Sequence, residues 1–261
     1  MAKRIKTVRA GRLVFGVCYS QAMPGEPAKA RAAKSKCSTD ARRALNFRAA
    51  WQKLRLILAA NFGRGDLWVT LTYDDAHLPD GRKAAKKRMA LFLDKLREAR
   101  KRAGEELRYV YCTEELTDDG RRRLHHHMVL GASRARADYE LIRSLWTDGS
   151  NIEIRRLGEH EDYGDDFLEL AKYMTKERDP EAKTIAVGDK SWVSSRNLAR
   201  PEVESELVGD NVTITAPPGA RIIDTDQKRN EYGSYDYMVY LLPEEAVTPT
   251  RTQPGKRRRR N

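Results

Sequence analysis

Three of the five histidines sit in one tripeptide, His125-His126-His127, inside an otherwise apolar segment, LHHHMVL. Alternation along a strand puts His125 and His127 on one face and His126 on the other. Two imidazoles that converge on one face can chelate a single divalent cation. A third ligand is expected from the neighbouring strand, RYVYCTE, where Glu114 shares a face with Val110 and Cys112 while Glu115 points the other way. Two histidines and a carboxylate with open positions can polarise a phosphate oxygen, a Lewis-acid role. The plainer alternative for the triplet is a surface cluster or hydrogen-bonded core histidines. Cys18, Cys37 and Cys112 form no CxxC pair, which argues against a disulfide framework or a structural zinc site.

A second chemical element is Tyr173-Met174-Thr175-Lys176. On a helix, positions three apart are neighbours, so Tyr173 and Lys176 share a face beside Glu169 and Lys172. That face lies off the apolar stripe of Phe167, Leu170, Ala171 and Met174, so the core does not call for Tyr173. A phenol ionises near ~10 and attacks poorly unless its anion is stabilised; Lys176 or a cation would do that, and would screen charge on a phosphate under attack. An ordinary Tyr/Lys pair on a solvent-facing helix is the plainer alternative.

The elements that must position these groups are an alternation of strands and helices. Residues 67–73 (LWVTLTY) are β-branched and aromatic, as in a buried strand, and residues 108–114 and 124–130 form an antiparallel pair around a turn at Asp119-Gly120. Helical spacing marks residues 38–61, with Leu45, Phe47, Trp51, Leu54 and Leu58, and residues 83–103, with Met89, Phe92, Leu93 and Leu96. A shorter helix is expected over 138–146, a strand over 151–155 and a last helix over 165–176. Short strands at 12–19, 191–201, 212–214 and 237–242 complete the set, and Trp68 and Trp146 are assigned to the core. The fold class expected is α+β, a central antiparallel sheet with flanking helices and a small C-terminal extension. The boundaries expected are a basic, largely flexible segment at 1–37, the main domain at 38–200, the extension at 201–247 and a disordered basic tail at 248–261.

The 261 residues carry a net charge of +12, unevenly placed. Residues 1–37 hold nine Lys/Arg against one Glu, and Lys256 to Arg260 adds five more cations. Basic ends around a body with one basic stretch are the footprint of a phosphate-backbone binder. No stretch approaches the ~20 apolar residues that span a bilayer, and the apolar run after the basic start is too short for a signal peptide. No partner in a membrane is expected. No GxxxxGK[ST] loop is present, so a fused helicase is not expected.

Taken in chain order, the LTLTY strand, the acidic strand end, the HxH strand and the YxxK helix resemble the HUH endonucleases, the single-tyrosine rolling-circle replication initiators. The likeness is greatest to the replication-associated proteins of phages and mobile elements. It spans residues 46–201 and includes NFRAAWQKLRLILAANF, LWVTLTYDD, YVYCTEE with RRRLHHHMVL, LWTDG, LAKYMTKE and SSRNLARPE.

The resemblance implies an HUH, RRM-like or palm-like domain. It implies Mg²⁺ or Mn²⁺ held by His125 and His127, with Glu114 the best match for the third ligand. Tyr173 would attack a DNA phosphate, join the 5′ end and free a 3′-OH that primes synthesis, with Lys176 assisting and a strand-joining step ending the round. The partners implied are single-stranded DNA at an origin hairpin and a host replication helicase and polymerase, in the cytoplasm of a bacterial host. Two departures stand out. The hydrophobic middle of the motif is His126, which could compete for the cation or flip the register. There is also no second tyrosine four residues from Tyr173, since positions 169 and 177 are glutamates. One nucleophile per chain calls for another residue or a second subunit, hence a homo-oligomer, to end a round.

Arg121, Arg122 and Arg123 could steer DNA toward the cation, although simple solvation fits a hairpin loop equally, and Arg196 and Arg200 could clamp phosphates. Alternatives are a relaxase or transposase of the same chemistry, a non-catalytic RRM-like binder that stacks bases on strand aromatics such as Tyr109 and Tyr111, and a hydrolase that uses water as nucleophile.

Overall fold

Among the described residues, strand alternation and helical stripes resolve into two all-antiparallel sheets of five strands each, with four α-helices. The structure, a computed structural model, describes residues 3–20, 40–116, 122–135, 137–159, 165–176, 190–230 and 233–244; the side chains of 40–43, 116, 122 and 230 lie outside that description. Along the chain run β1 (Lys3–Ala10), β2 (Leu13–Ser20), α1 (Asp40–Asn61), β3 (Leu67–Thr72), α2 (Arg82–Arg102), β4 (Tyr109–Leu116) and β5 (Arg122–Leu130). Then follow α3 (Asp138–Leu145), β6 (Ile152–Arg156), α4 (Leu168–Tyr173), β7 (Val193–Ser194), β8 (Glu202–Val208), β9 (Arg221–Asn230) and β10 (Gly233–Leu241). The fold is α+β and consistent with an HUH or RRM-like arrangement. No described helix is long and apolar enough to cross a membrane.

The chain divides into two compact units, Ala30–Leu198 and the pair Met1–Lys29 with Ala199–Asn261. In the first, the strand order is β6-β3-β5-β4-β7. One face of this sheet (Leu67, Val69, Leu71, Tyr111, Met128, Leu130) packs on Met89, Phe92, Leu93 and Leu96 of α2 and Ile142 of α3. The opposite face (Trp68, Val110, Cys112, Val129) packs on Leu54 and Leu58 of α1, on Leu170 and Ala171 of α4 and on Met174 just after it. Each side chain buried fully in such a layer contributes about 1.5–3 kcal/mol. The N-terminal half of α1 contributes less than its spacing suggests, since Leu45 is 58% exposed. The loop after α3 braces the end of β3. Trp146 Nε1 donates to Thr72 O at 2.9 Å, Asp74 N donates to Asp148 O at 3.0 Å, and a Cβ at Gly149 would lie 2.1 Å from Thr72 O. Only glycine permits that approach.

The second unit departs from the expected layout. Residues 3–20 are not a largely unstructured segment with one strand; they form the hairpin β1–β2 around Gly11 (φ 57°) and Arg12, with Ala10 opposite Leu13. β1 pairs with β8 and β2 with β10, giving the order β8-β1-β2-β10-β9. The C-terminal strands are therefore not a separate extension. They complete a sheet begun at the N-terminus, and neither half has enough strands to be stable alone. Ile5, Thr7 and Val8 among lysines and arginines satisfy the β preference, but the partners that use it lie far along the chain. Residues 212–214, expected as a strand, instead lie against β2: Cys18 Sγ contacts Val212 O at 3.7 Å, and Ile214 Cγ2 sits 3.1 Å from where a Cβ of Gly16 would be. The tail from 248 and the remainder of the segment to 37 lie outside the described residues.

Candidate active site

The β4–β5 hairpin sets the register on which the site depends. Glu114 lies opposite His125 and Cys112 opposite His127, all on the α1/α4 face, while His126 lies opposite Thr113 on the other. On the far side of β5, Thr72 pairs with His125 and Thr70 with His127. The strand ends thus carry a carboxylate and two imidazoles to one spot, where their ligand atoms all lie within 4.8 Å of one another. His125 Nδ1 donates to Arg123 O at 3.0 Å, which turns its Nε2 toward Glu114 Oε2, 3.4 Å away. His127 Nε2 is 3.5 Å from the same oxygen.

α4 supplies the other two groups. It spans only Leu168–Tyr173, not the expected 165–176. Phe167, buried in the α1/α4 core, takes a left-handed φ of 56° before it, and the Thr175 hydroxyl donates to Ala171 O at 2.8 Å at its end. Such a side-chain bond competes with helix continuation. Arg55 of α1 grips the start of α4, donating through Nε to Asp166 O at 2.8 Å and pairing with the Asp166 carboxylate at 2.5 Å. So held, Tyr173 places its hydroxyl 3.2 Å from His127 Nε2. Its ring is not free of the core as the spacing implied. It is partly buried and meets the ring of Trp68 edge-on at 6.0 Å. Lys176 Nζ lies 3.0 Å from Glu114 Oε2 and 4.0 Å from the Tyr173 ring centroid.

The electrostatics follow from burial and convergence. Burial of Glu114, 2% exposed, would raise its pKa, but the imidazoles of His125 and His127 and the Lys176 ammonium outweigh it and hold the carboxyl well below the usual range. Burial also pulls His127 down, with Glu114 opposing, whereas at His125 the carboxylate and the Arg123 carbonyl prevail and raise it. Glu114 likewise outweighs burial at Lys176 and raises its pKa. His126 is different. It is fully buried with Nε2 2.7 Å from the Tyr73 hydroxyl and Nδ1 3.0 Å from Thr113 Oγ1, and burial lowers it to about 3. It neither reaches the cluster nor shifts the register.

The residues fit a divalent cation. Glu114 Oε2 is buried and faces both Nε2 atoms and the Lys176 ammonium, and the donor set is two imidazole nitrogens and a carboxylate oxygen. Ligand atoms held about 2.1 Å from one ion sit about 3.0–3.5 Å from one another, close to the 3.4 and 3.5 Å between Glu114 Oε2 and the two Nε2 atoms. A buried His/Glu/His group of this kind can bind a metal ion.

The arginines fare differently. Arg123 is tied back, with Nη1 2.7 Å from Asp75 and Nη2 donating to Tyr73 O at 2.5 Å. Arg121 and the Arg122 side chain lie outside the described residues. Arg196 sits between Ser195, whose N donates to Tyr109 O at 2.9 Å, and Asn197, whose side chain donates to Leu107 O at 3.3 Å. That is the end of β4 away from Glu114, about 17 Å along the strand, so the fold does not bring Arg196 to the cluster. Arg200 belongs to the other unit. From sequence, Thr70, Thr72 and Tyr73 fit sheet packing as well as lining the site and stay outside the catalytic set, Trp68 goes to the core and Arg55 is not singled out; a T-x-T facing an H-x-H was the available signal, but it needs the β3–β5 register, which no local turn sets.

Residues 66–178 match the family model of the replication-associated proteins of the ORF2 type. The matched stretch is less than half of the chain, narrower than the resemblance in sequence, yet it contains Thr70, Glu114, His125, His127, Tyr173 and Lys176. The match supports a replication-associated role and with it an interaction with DNA. No curated protein and no solved structure matches the chain.

Proposed function

We propose that the chain is a replication initiator that nicks single-stranded DNA at an origin through Tyr173. The observation that carries this reading is the position of the Tyr173 hydroxyl, 3.2 Å from His127 Nε2 at the edge of the His-Glu-His group. Glu114, His125 and His127 are the residues that would hold a divalent cation, Mg²⁺ or Mn²⁺. Bound there, the ion would polarise a non-bridging phosphate oxygen and make the phosphorus more electrophilic.

The chain's own residues do the rest. Tyr173 Oη forms a bond to phosphorus as the bond from phosphorus to the 3′ oxygen breaks. The phenol gives up one proton and the departing oxygen gains one, so the products are a 5′-phosphotyrosine and a 3′-OH. Because one phosphodiester replaces another, the reverse step can rejoin strands and end the round. Lys176, over the Tyr173 ring, stabilises the phenolate, and the packed rings of Trp68 and His127 hold the nucleophile in place. Unwinding and synthesis then fall to a host helicase and polymerase in the bacterial cytoplasm.

The test is covalent capture. Labelled single-stranded DNA from candidate origins is incubated with protein and Mn²⁺ and run on a denaturing gel beside Tyr173→Phe. A slow adduct band in wild type alone is the expected result. Cleavage without an adduct would replace this reading with a water-using hydrolase. Neither adduct nor cleavage, across several origins, would favour a non-catalytic nucleic-acid binder. Relaxase or transposase roles of the same chemistry are separated by which target sequence is cut.

A further inference from the structure

His127 is gripped from two sides by groups outside the ligand set. Thr70 Oγ1 of β3 lies 3.1 Å from its Nδ1, and the Trp68 indole stacks on its ring at 5.0 Å with an interplanar angle of 11°. The two contacts remove different freedoms. The stacked indole fixes the plane of the imidazole, and the hydroxyl gives Nδ1 a hydrogen-bond partner. His125 has its proton set by a backbone carbonyl, which can only accept, so Nδ1 must donate. His127 has no carbonyl in that place. Its Nδ1 faces a hydroxyl, which can donate or accept, so the side chain at position 70 matters here as no side chain does at His125.

We propose that Thr70 is the positioning residue of His127: its hydroxyl accepts from Nδ1–H, which offsets the pull of the Glu114 carboxylate on a proton at Nε2 and leaves Nε2 free for a cation or for the Tyr173 O–H. The assignment rests on the cation-assisted reading of the site for its purpose, though not for its geometry. A bare Nε2 can take a cation or accept the Tyr173 O–H, whereas a protonated Nε2 can do neither. Partners beyond the direct ligands that fix a histidine tautomer typically change cation affinity ten- to a hundred-fold when removed. The register makes the arrangement specific, since Thr70 is directly opposite His127 while its neighbour Thr72 spends its hydroxyl on Asn151 O at 2.7 Å.

The experiment compares Thr70→Val with Thr70→Ser. Valine keeps the shape and the strand preference and removes only the hydroxyl; serine restores it. Two readouts apply to the full chain. Long-range ¹H–¹⁵N correlation in metal-free protein reports which His127 nitrogen is protonated, and electron paramagnetic resonance of free Mn²⁺ gives a dissociation constant. Wild type and Thr70→Ser should carry the proton on Nδ1. Thr70→Val should lose that preference and bind Mn²⁺ about ten-fold more weakly, with an unchanged melting temperature. A wild-type proton on Nε2, or a valine variant equal to wild type in both tautomer and affinity, overturns the proposal. If the tautomer follows Thr70 but wild type takes up no Mn²⁺, the positioning assignment stands and the cation reading falls.

Discussion

His126 shows what one residue on the wrong side of a motif can do. A polar side chain with no exposure is tolerated because both ring nitrogens have partners, the Tyr73 and Thr113 hydroxyls. A neutral imidazole has one donor and one acceptor, and each hydroxyl can serve as either, so the chain of three is self-satisfied. Burial holds the ring neutral. His126→Leu should therefore destabilise the protein by about 2–4 kcal/mol, because the Thr113 hydroxyl loses its partner and the Tyr73 hydroxyl keeps only a longer bond to Ala85 O, at 3.4 Å. Adding Tyr73→Phe and Thr113→Val should recover most of that loss, since an all-apolar replacement leaves nothing unpaired. Chemical denaturation of the single and triple variants checks this, and a triple variant no more stable than the single one would break the account. Mn²⁺ affinity should be unchanged throughout, since His126 faces away from the cluster. The alternation of His125, His126 and His127 is legible from sequence. The partners of His126 are not, because Tyr73 reaches it from a strand whose register no short turn dictates.

Between elements, the hinge points are buried arginines. Arg100, in the last turn of α2, donates to Gly131 O at 2.9 Å and pairs with Asp138 at the start of α3 and with Glu105. It ties α2 to the exit of β5 and so fixes the helix layer behind the histidine strand. Arg100→Met should cost about 3–5 kcal/mol in denaturant unfolding, because the Asp138 carboxylate is left buried without its cation. The pair with Glu105 has a pH signature. The hydrogen bond from Arg100, with help from Arg134, holds the Glu105 carboxyl below its usual range. A depressed carboxylate stabilises the fold above its unfolded pKa, near ~4.3, and that stabilisation is lost as pH falls through the lower folded value. Wild type should lose stability over that acid window more steeply than Arg100→Met, and parallel acid arms would count against the pairing. The long helices α1 and α2 and the strands β3 to β5 are legible from spacing. The short span of α4 is not, because the backbone turn at Phe167 and the Thr175 hydroxyl set its ends.

At the scale of the molecule, two units are interleaved in sequence. The cluster lies wholly within Ala30–Leu198, while β1 and β2 depend on β8 and β10 from the other end of the chain. A chain ended after Leu198 should keep an orphan hairpin with two open edges, and such edges invite association. Size-exclusion chromatography should show it self-associated, whereas the fragment 30–198 should run as a single species and still bind Mn²⁺. A well-behaved 1–198 chain would mean that the N-terminal hairpin does not need its distant partners. The basic surplus at both ends was visible from charge counting alone, but the pairing of β1 and β2 with β8 and β10 was not.

Side-chain type and short-range spacing marked Glu114, His125, His127, Tyr173 and Lys176 as candidates, and their order along the chain set them above the plainer alternatives, since each depends on alternation within a strand, one hairpin or one helical turn. Local periodicity also yields the α+β class, because a residue's face is set by its own backbone geometry. What local pattern cannot carry is pairing between segments far apart in the chain, where many registers have similar local energies and the packed core chooses one. That choice put Thr70 and Trp68 against His127, turned His126 into the core, separated Arg196 from the cluster and joined residues 3–20 to the last strands of the described chain.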